Sequence, residues 1–283
     1  MKRYGEVEGI RLLSQAGFKV LDFGMNTYSY DYPLYTADES TFVGHYKELK
    51  KKIDSFGMSV FQTHACVPSY VNDKEKDDAI FRTICRNIQA TALLGCDRIV
   101  IHPRIPHEYK YDYYRAETRE INLAFYSALL PYLKEYGVIG LIENMFNWDS
   151  EKKCICPTVC SYSEEMIDYI DMVDNKHFAA CLDIGHGNLT PESPVDMIKN
   201  LGSRIKALHI HDNDGISDQH LSPYLGTIDW DGVTSALSEV GYDGTFNLEA
   251  EKMYNNPFFA ADPVATARQM FLVATELAEK IKN

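Results

Sequence analysis

The sequence predicts an α/β fold, a TIM-type (β/α) barrel whose first strand is either vestigial or missing. Short β-rich apolar runs begin near Val20, Met58, Arg98, Val138, Phe178, Ile205 and Thr245, mostly about 40 residues apart, with amphipathic helical patterns between them. Gly17, Gly57, Gly95, Gly137, Gly202 and Gly241 punctuate the steps from helix to strand, where a left-handed residue turns the chain. No Gly-x-Gly-x-x-Gly follows the first strand, so the dinucleotide-binding arrangement lacks support and the barrel is favoured.

The chain opens into a helix over residues 6–16, so seven strands are counted where a complete barrel has eight. Residues 46–56 show how the helices are read: Tyr46, Leu49, Ile53 and Phe56 recur at three- or four-residue intervals, while Lys47, Glu48, Lys50, Lys51 and Lys52 face elsewhere. Residues 263–282 read as a closing helix. No linker or shift in composition divides the chain, so residues 1–283 are expected to form one domain.

Composition narrows the function. With 45% hydrophobic positions the chain can bury a core, and a net charge of −13 disfavours nucleic acid or an anionic membrane as partner. No run approaches the length of a membrane span and the first residues lack the apolar region of a secretory signal, which predicts a cytoplasmic protein. The seven cysteines are an odd number spread along the chain, a pattern of reduced thiols and not of a disulfide framework.

Parallel strands bring their C-terminal ends to one face of a barrel. Six of the seven apolar runs finish there on His64, His102, Glu143, Asp183, His209 and Glu249. Any one of these alone is more often a hydrogen-bonded structural residue. Six together, each costly to bury unless paired or metal-bound, point to a metal site or an acid/base cluster. The loops add His186, Asp218 and His220. Mixed histidine and carboxylate sets suit zinc or manganese, and also cobalt; magnesium fits a carboxylate-rich centre. Residues two apart share a strand face, which sets Gln62 beneath His64 and Asn247 beneath Glu249 as donors to the ligands.

The runs Ala180-Cys-Leu-Asp-Ile-Gly-His186, Ile205-Lys-Ala-Leu-His-Ile-His-Asp-Asn213, Asp218-Gln-His-Leu-Ser-Pro-Tyr-Leu-Gly-Thr-Ile-Asp-Trp230 and Gly241-Tyr-Asp-Gly-Thr-Phe-Asn-Leu-Glu249 resemble the xylose isomerase-like TIM barrel superfamily. That superfamily holds sugar isomerases and epimerases, dehydroshikimate dehydratases and the endonuclease IV group. The resemblance spans essentially the whole chain and implies a divalent-metal-dependent sugar isomerase or epimerase acting on a ketose, inosose or sugar phosphate. By the same resemblance the single-metal set falls on Glu143, Asp183, His209 and Glu249, and His186 touches substrate oxygens. Glu143 and Glu249 would then move a proton through a metal-stabilised enediolate. Endonuclease IV enzymes hold three zinc ions, and their ligand order is matched here once His64, His102, His186, Asp218 and His220 join the core set, so one to three ions are implied. A trinuclear phosphodiesterase and a dehydratase-like lyase are therefore the alternatives. The charge of −13 and the segment 65–70, which departs from the DNA-penetrating loop of that group, favour a small polyol or sugar over DNA.

Arg104, Asn144 and Trp148 are further candidate substrate contacts. Tyrosines cluster at Tyr28, Tyr30, Tyr32 and Tyr35 and again at Tyr109, Tyr111, Tyr113 and Tyr114, where rim aromatics could stack on a sugar or bury a homo-oligomer contact. His211 shares the strand parity of His209. Cys154, Cys156 and Cys160 lack a fourth local ligand and read as reduced loop thiols. No glycine-rich phosphate cradle is present, so an unphosphorylated polyol suits the chain as well as a sugar phosphate.

Overall fold

The computed structural model describes residues 3–106 and 111–282, without the side chains of Tyr111, Asp112, Tyr113 and Lys282, so Tyr109 and the rings of Tyr111 and Tyr113 lie outside the described residues. Helix α1 (Glu6–Ala16) follows a turn and leads into β1 (Val20–Gly24), the short α2 (Pro33–Thr36) and α3 (Glu39–Ser55). Then come β2 (Ser59–His64), α4 (Lys74–Leu93), β3 (Arg98–Ile101), α5 (Tyr111–Tyr136) and β4 (Ile139–Glu143). A hairpin of β5 (Phe146–Asp149) and β6 (Cys154–Pro157) precedes α6 (Ser163–Val173), β7 (Phe178–Asp183), α7 (Ile184–Asn188), α8 (Pro194–Leu201) and β8 (Ile205–His209). The chain finishes with α9 (Trp230–Glu239), α10 (Pro257–Ala261) and α11 (Pro263–Lys282).

Six parallel strands pair in the order β1-β2-β3-β4-β7-β8, as strand-helix alternation requires. The six predicted junction glycines all carry positive φ, from 54° to 118°. Helix α4 shows why the helices dock on the sheet. Asp73 caps it by accepting from the Lys76 N–H, and Ile80, Ile84 and Ile88 put one apolar stripe inward at 0% exposure. Each such side chain is worth about 1.5–3 kcal/mol of burial. On the inner face of the curved sheet, Val100, Leu141, Ala179, Cys181 and Ala207 make a separate small cluster of mostly short side chains, and the polar residues lie above it.

The strand expected at residues 245–249 is the element that the structure corrects. Only a single parallel bridge forms, with the Ile210 N–H on the Asn247 carbonyl and the Glu249 N–H on the Ile210 carbonyl. A strand is defined by a ladder of successive pairs, and this segment makes a single bridge in place of one. Between it and β1, which pairs with β2 alone, the wall is open. A cavity of about 670 Å³ fills the seam, with Leu13, Phe18, Phe246 and Met270 among its apolar walls and Asp22 and Glu249 at its inner end. The hairpin β5–β6 was also unforeseen; it pairs Asp149 with Cys154 and Asn147 with Cys156, and all seven cysteines are free. Among the described residues no helix is long and apolar enough to cross a membrane.

Candidate metal centre

The strand ends converge as expected. His64 on β2, Glu143 on β4, Asp183 on β7 and His209 on β8 are all buried, and His102 follows β3 directly. Three imidazoles are oriented by backbone carbonyls: Nδ1 of His64 lies 2.8 Å from the Ala65 oxygen, Nδ1 of His186 2.9 Å from that of Asn144, and Nδ1 of His220 2.6 Å from that of Glu249. Each bond fixes the tautomer and leaves Nε2 facing the cluster, the arrangement that metal-bound histidines need. His64 and His102 bring Nε2 atoms within 3.0 Å of one another and within 3.4 and 2.9 Å of Glu143 Oε2.

A second group gathers around the loop after β8. His186, His211, Asp218 and His220 offer one ligand atom each, close enough for one ion. His211 stacks on His220 at 4.1 Å, and its Nε2 lies 3.1 Å from Asp183 Oδ1 and 3.7 Å from Asp218 Oδ1. The other groups that could hold an ion are His64 with Glu143 and His209, Glu143 with Asp183 and His186, and Asp22 with His209 and Glu249.

Unpaired buried atoms test whether these residues suit a cation. Glu143 Oε2, Asp183 Oδ2, Asp218 Oδ1 and both ring nitrogens of His211 are buried without a hydrogen-bond partner. Leaving such atoms unsatisfied costs about 1–3 kcal/mol each. These five, with Asp22 Oδ1, belong to residues in those ligand groups, whereas the unpaired atoms of Asn87, Arg104 and His177 do not; nitrogen with carboxylate oxygen is the donor set of zinc or manganese, so the centre fits a divalent ion.

Charge is shared out by burial and by the imidazoles. Burial alone would raise the Glu143 carboxyl, but His209 and His102 outweigh it and hold it well below the usual carboxylate range. Asp183 is likewise lowered against its burial, by His186 and His211. Burial pushes Glu249 up, with Glu143 and Asp183 adding to it against the pull of His209.

The three other predicted substrate contacts fare differently. Asn144 spends both amide atoms on the Asp183 backbone, donating to its carbonyl at 2.8 Å and accepting from its N–H at 2.7 Å, and so ties β4 to β7. The Arg104 guanidinium lies over the rings of Phe125 and Tyr70, at 4.4 and 5.4 Å, a packing role. Trp148 is half exposed on the hairpin, on the strand face it shares with Phe146, whose ring meets the His186 ring edge-on at 4.9 Å. Tyr28, Tyr32 and Tyr35 pack on one another.

Gln62 and Asn247 do not reach the ligands they were expected to support. Asn247 donates to Gln62, and Gln62 donates at 2.7 Å to Asp22, a residue that reading the strand ends passed over because it lies inside β1. Asp22 Oδ2 in turn lies 3.1 Å from His209 Nε2. An aspartate in the middle of the apolar run Val20-Leu-Asp-Phe-Gly24 was the signal.

The family described as the xylose isomerase-like TIM barrel matches residues 10–272. The chain belongs to that family. Its barrel is similar to the crystal structure of D-psicose 3-epimerase in the presence of D-fructose, at a TM-score of 0.69 and 14% identity, covering 96% of this chain and 93% of that one. It is similar too to a crystal structure of IOLI protein with a bound zinc atom, at a TM-score of 0.70 and 17% identity, covering 96% and 91%. An uncharacterized protein of Methanocaldococcus jannaschii is 30% identical over 164 residues, 57% of this chain and 53% of the relative. The chain spans about half the length of the first curated relatives it matches.

Proposed function

We propose that this xylose isomerase-like barrel is a cytoplasmic, divalent-metal-dependent sugar isomerase or epimerase acting on an unphosphorylated ketose or related polyol. One observation carries the reading: Glu143 and Glu249 approach opposite edges of the same His209 ring, at 3.1 and 3.6 Å, among groups fit to hold an ion. Two carboxylates on either side of a reacting carbon are what proton removal and return require. Glu143, Asp183 and Glu249 would hold the ion together with His211, which follows β8, in place of the His209 that the resemblance implies, with His64, His102, His186, Asp218 and His220 able to hold more. Bound there, zinc, manganese, magnesium or cobalt would supply positive charge beside a sugar carbonyl and its neighbouring hydroxyl. In this reading one glutamate takes the proton from the carbon next to the carbonyl, and the other, or the same one, returns it. His186 would meet substrate oxygens, and Trp148 on the adjoining rim would cover the sugar face by stacking.

The sugar epimerases among the similar folds support this chemistry. The test is to strip the protein with a chelator, reload it with zinc or manganese, and incubate it with D-psicose, D-tagatose and D-fructose in heavy water. Deuterium at the carbon next to the carbonyl, present only in the reloaded protein, is the expected result. A reloaded protein that labels no ketose but cleaves a nitrophenyl phosphodiester would overturn the reading in favour of the endonuclease IV-like alternative.

A further inference from the structure

We propose that Asp22 is a positioning residue for Glu143, acting through His209, and that His209 thereby works as a strut and not as a metal ligand. Asp22 Oδ2 lies 3.1 Å from His209 Nε2, and His209 Nδ1 lies 3.1 Å from Glu143 Oε1. Both nitrogens of this fully buried ring therefore face carboxylates. That differs from His64, His186 and His220, where a backbone carbonyl takes Nδ1 and Nε2 is kept for an ion. With a carboxylate oxygen 3.1 Å from each nitrogen, the His209 ring has both of its polar edges engaged by side chains.

His211, two residues further on, is the contrasting ring. Neither of its nitrogens has a hydrogen-bond partner, and Nε2 faces Asp183 at 3.1 Å. The strand end thus divides its two histidines, one for the ion and one for the frame beneath it. Asp22 is itself held: Gln62 donates to the same Oδ2 at 2.7 Å, and Asn247 donates to Gln62. The line Asn247, Gln62, Asp22, His209, Glu143 fixes Oε1 of the glutamate and leaves Oε2, which faces the Nε2 atoms of His102 and His64 at 2.9 and 3.4 Å, as the working oxygen. This role rests on Glu143 being a proton-moving group as proposed above.

The test compares wild type, Asp22→Asn and Asp22→Glu in the zinc-loaded full chain. In Asp22→Asn, zinc per chain should equal that of wild type, and the ring N–H resonance of His209 nearest residue 22 should vanish from the ¹⁵N-histidine spectrum, with His209→Gln identifying the signal. Solvent exchange at the reacting carbon of D-psicose should lose about 10–100-fold in kcat with KM within about twofold, and Asp22→Glu should recover part of it. Loss of zinc from Asp22→Asn would make Asp22 and His209 ligands and overturn the strut. An unchanged resonance with unchanged kcat would overturn it equally. Should the wild type prove inert on D-psicose, the functional reading fails alone, and the zinc content and the spectrum still decide the strut.

Discussion

Replacing Gly185 with alanine should damage the metal centre without altering any ligand. A Cβ at this position would fall closer than 3.0 Å to Cε1, Nδ1 and Nε2 of His211. That ring cannot retreat, since it is 0% exposed and stacked against His220 at 4.1 Å. Overpacking of this kind costs about 1–3 kcal/mol, against about 0.4–1 kcal/mol returned by the stiffer unfolded chain. The net loss, about 1–2 kcal/mol, lowers Tm by roughly 2–8 °C in a protein of this size. Displacing the His211 imidazole, a candidate ligand, should also weaken metal binding by about 10–100-fold. Gly44, in α3, is the control: nothing lies within 4 Å of its would-be Cβ, so Gly44→Ala should raise Tm by about 1–4 °C and leave the metal alone. Calorimetry reads the first quantity and zinc titration against a chromophoric chelator the second. Wild-type zinc affinity and stoichiometry in Gly185→Ala would remove His211 from the metal centre.

Four other substitutions test further parts of the structure. Glu143→Gln and Glu249→Gln should each lower ketose turnover at least about 100-fold in a steady-state assay, because in the proposed mechanism each would carry a proton, and Glu143→Gln should also lower zinc content, since Glu143 belongs to two of the candidate ligand groups. Asp212→Ala should cost about 2–4 kcal/mol in urea unfolding: this buried carboxylate accepts from the Asn213 N–H and the Trp230 indole, both at 2.9 Å, and so closes the loop that carries Asp218 and His220. The Lys176 backbone amide, with Lys134 and His177, holds the Asp174 carboxyl down at about 2. A folded-state value below the unfolded one means that its stabilisation is complete above about pH 4 and disappears as the pH falls toward 2. Asp174→Asn should therefore flatten the acid side of a Tm-against-pH curve and change nothing at pH 4 relative to pH 7.

Much of this was legible because it is periodic. Apolar stripes such as Ile80, Ile84 and Ile88 and the left-handed glycines are local signals, and they located the helices and the strands they connect. The polar cluster at the strand ends was legible because a charged residue closing an apolar run has few uses. What escaped depends on contacts distant in sequence. Asp22 sits inside a strand and acquires meaning only from His209, 187 residues away. His211 could not be told from His209 by parity, since both face the same way; their partners, not their spacing, separate them. The strand predicted at residues 245–249 had the right composition but makes one bridge and no ladder, which no local pattern reveals. Asn144 looked like a substrate contact from its place after Glu143, yet its amide is spent on joining two strands.

The open seam makes the protein's mechanics uneven. In β2, β3, β4 and β7, backbone ladders on both sides hold each stave, so a side chain there can be changed without moving the frame. Asp22 and Glu249 stand on the two staves that border the gap, and there the crosspiece is made of side chains, Asn247 on Gln62 and Gln62 on Asp22. An amide lost from that tie-beam would be felt as a change of shape at the carboxylates, although it carries no charge of its own.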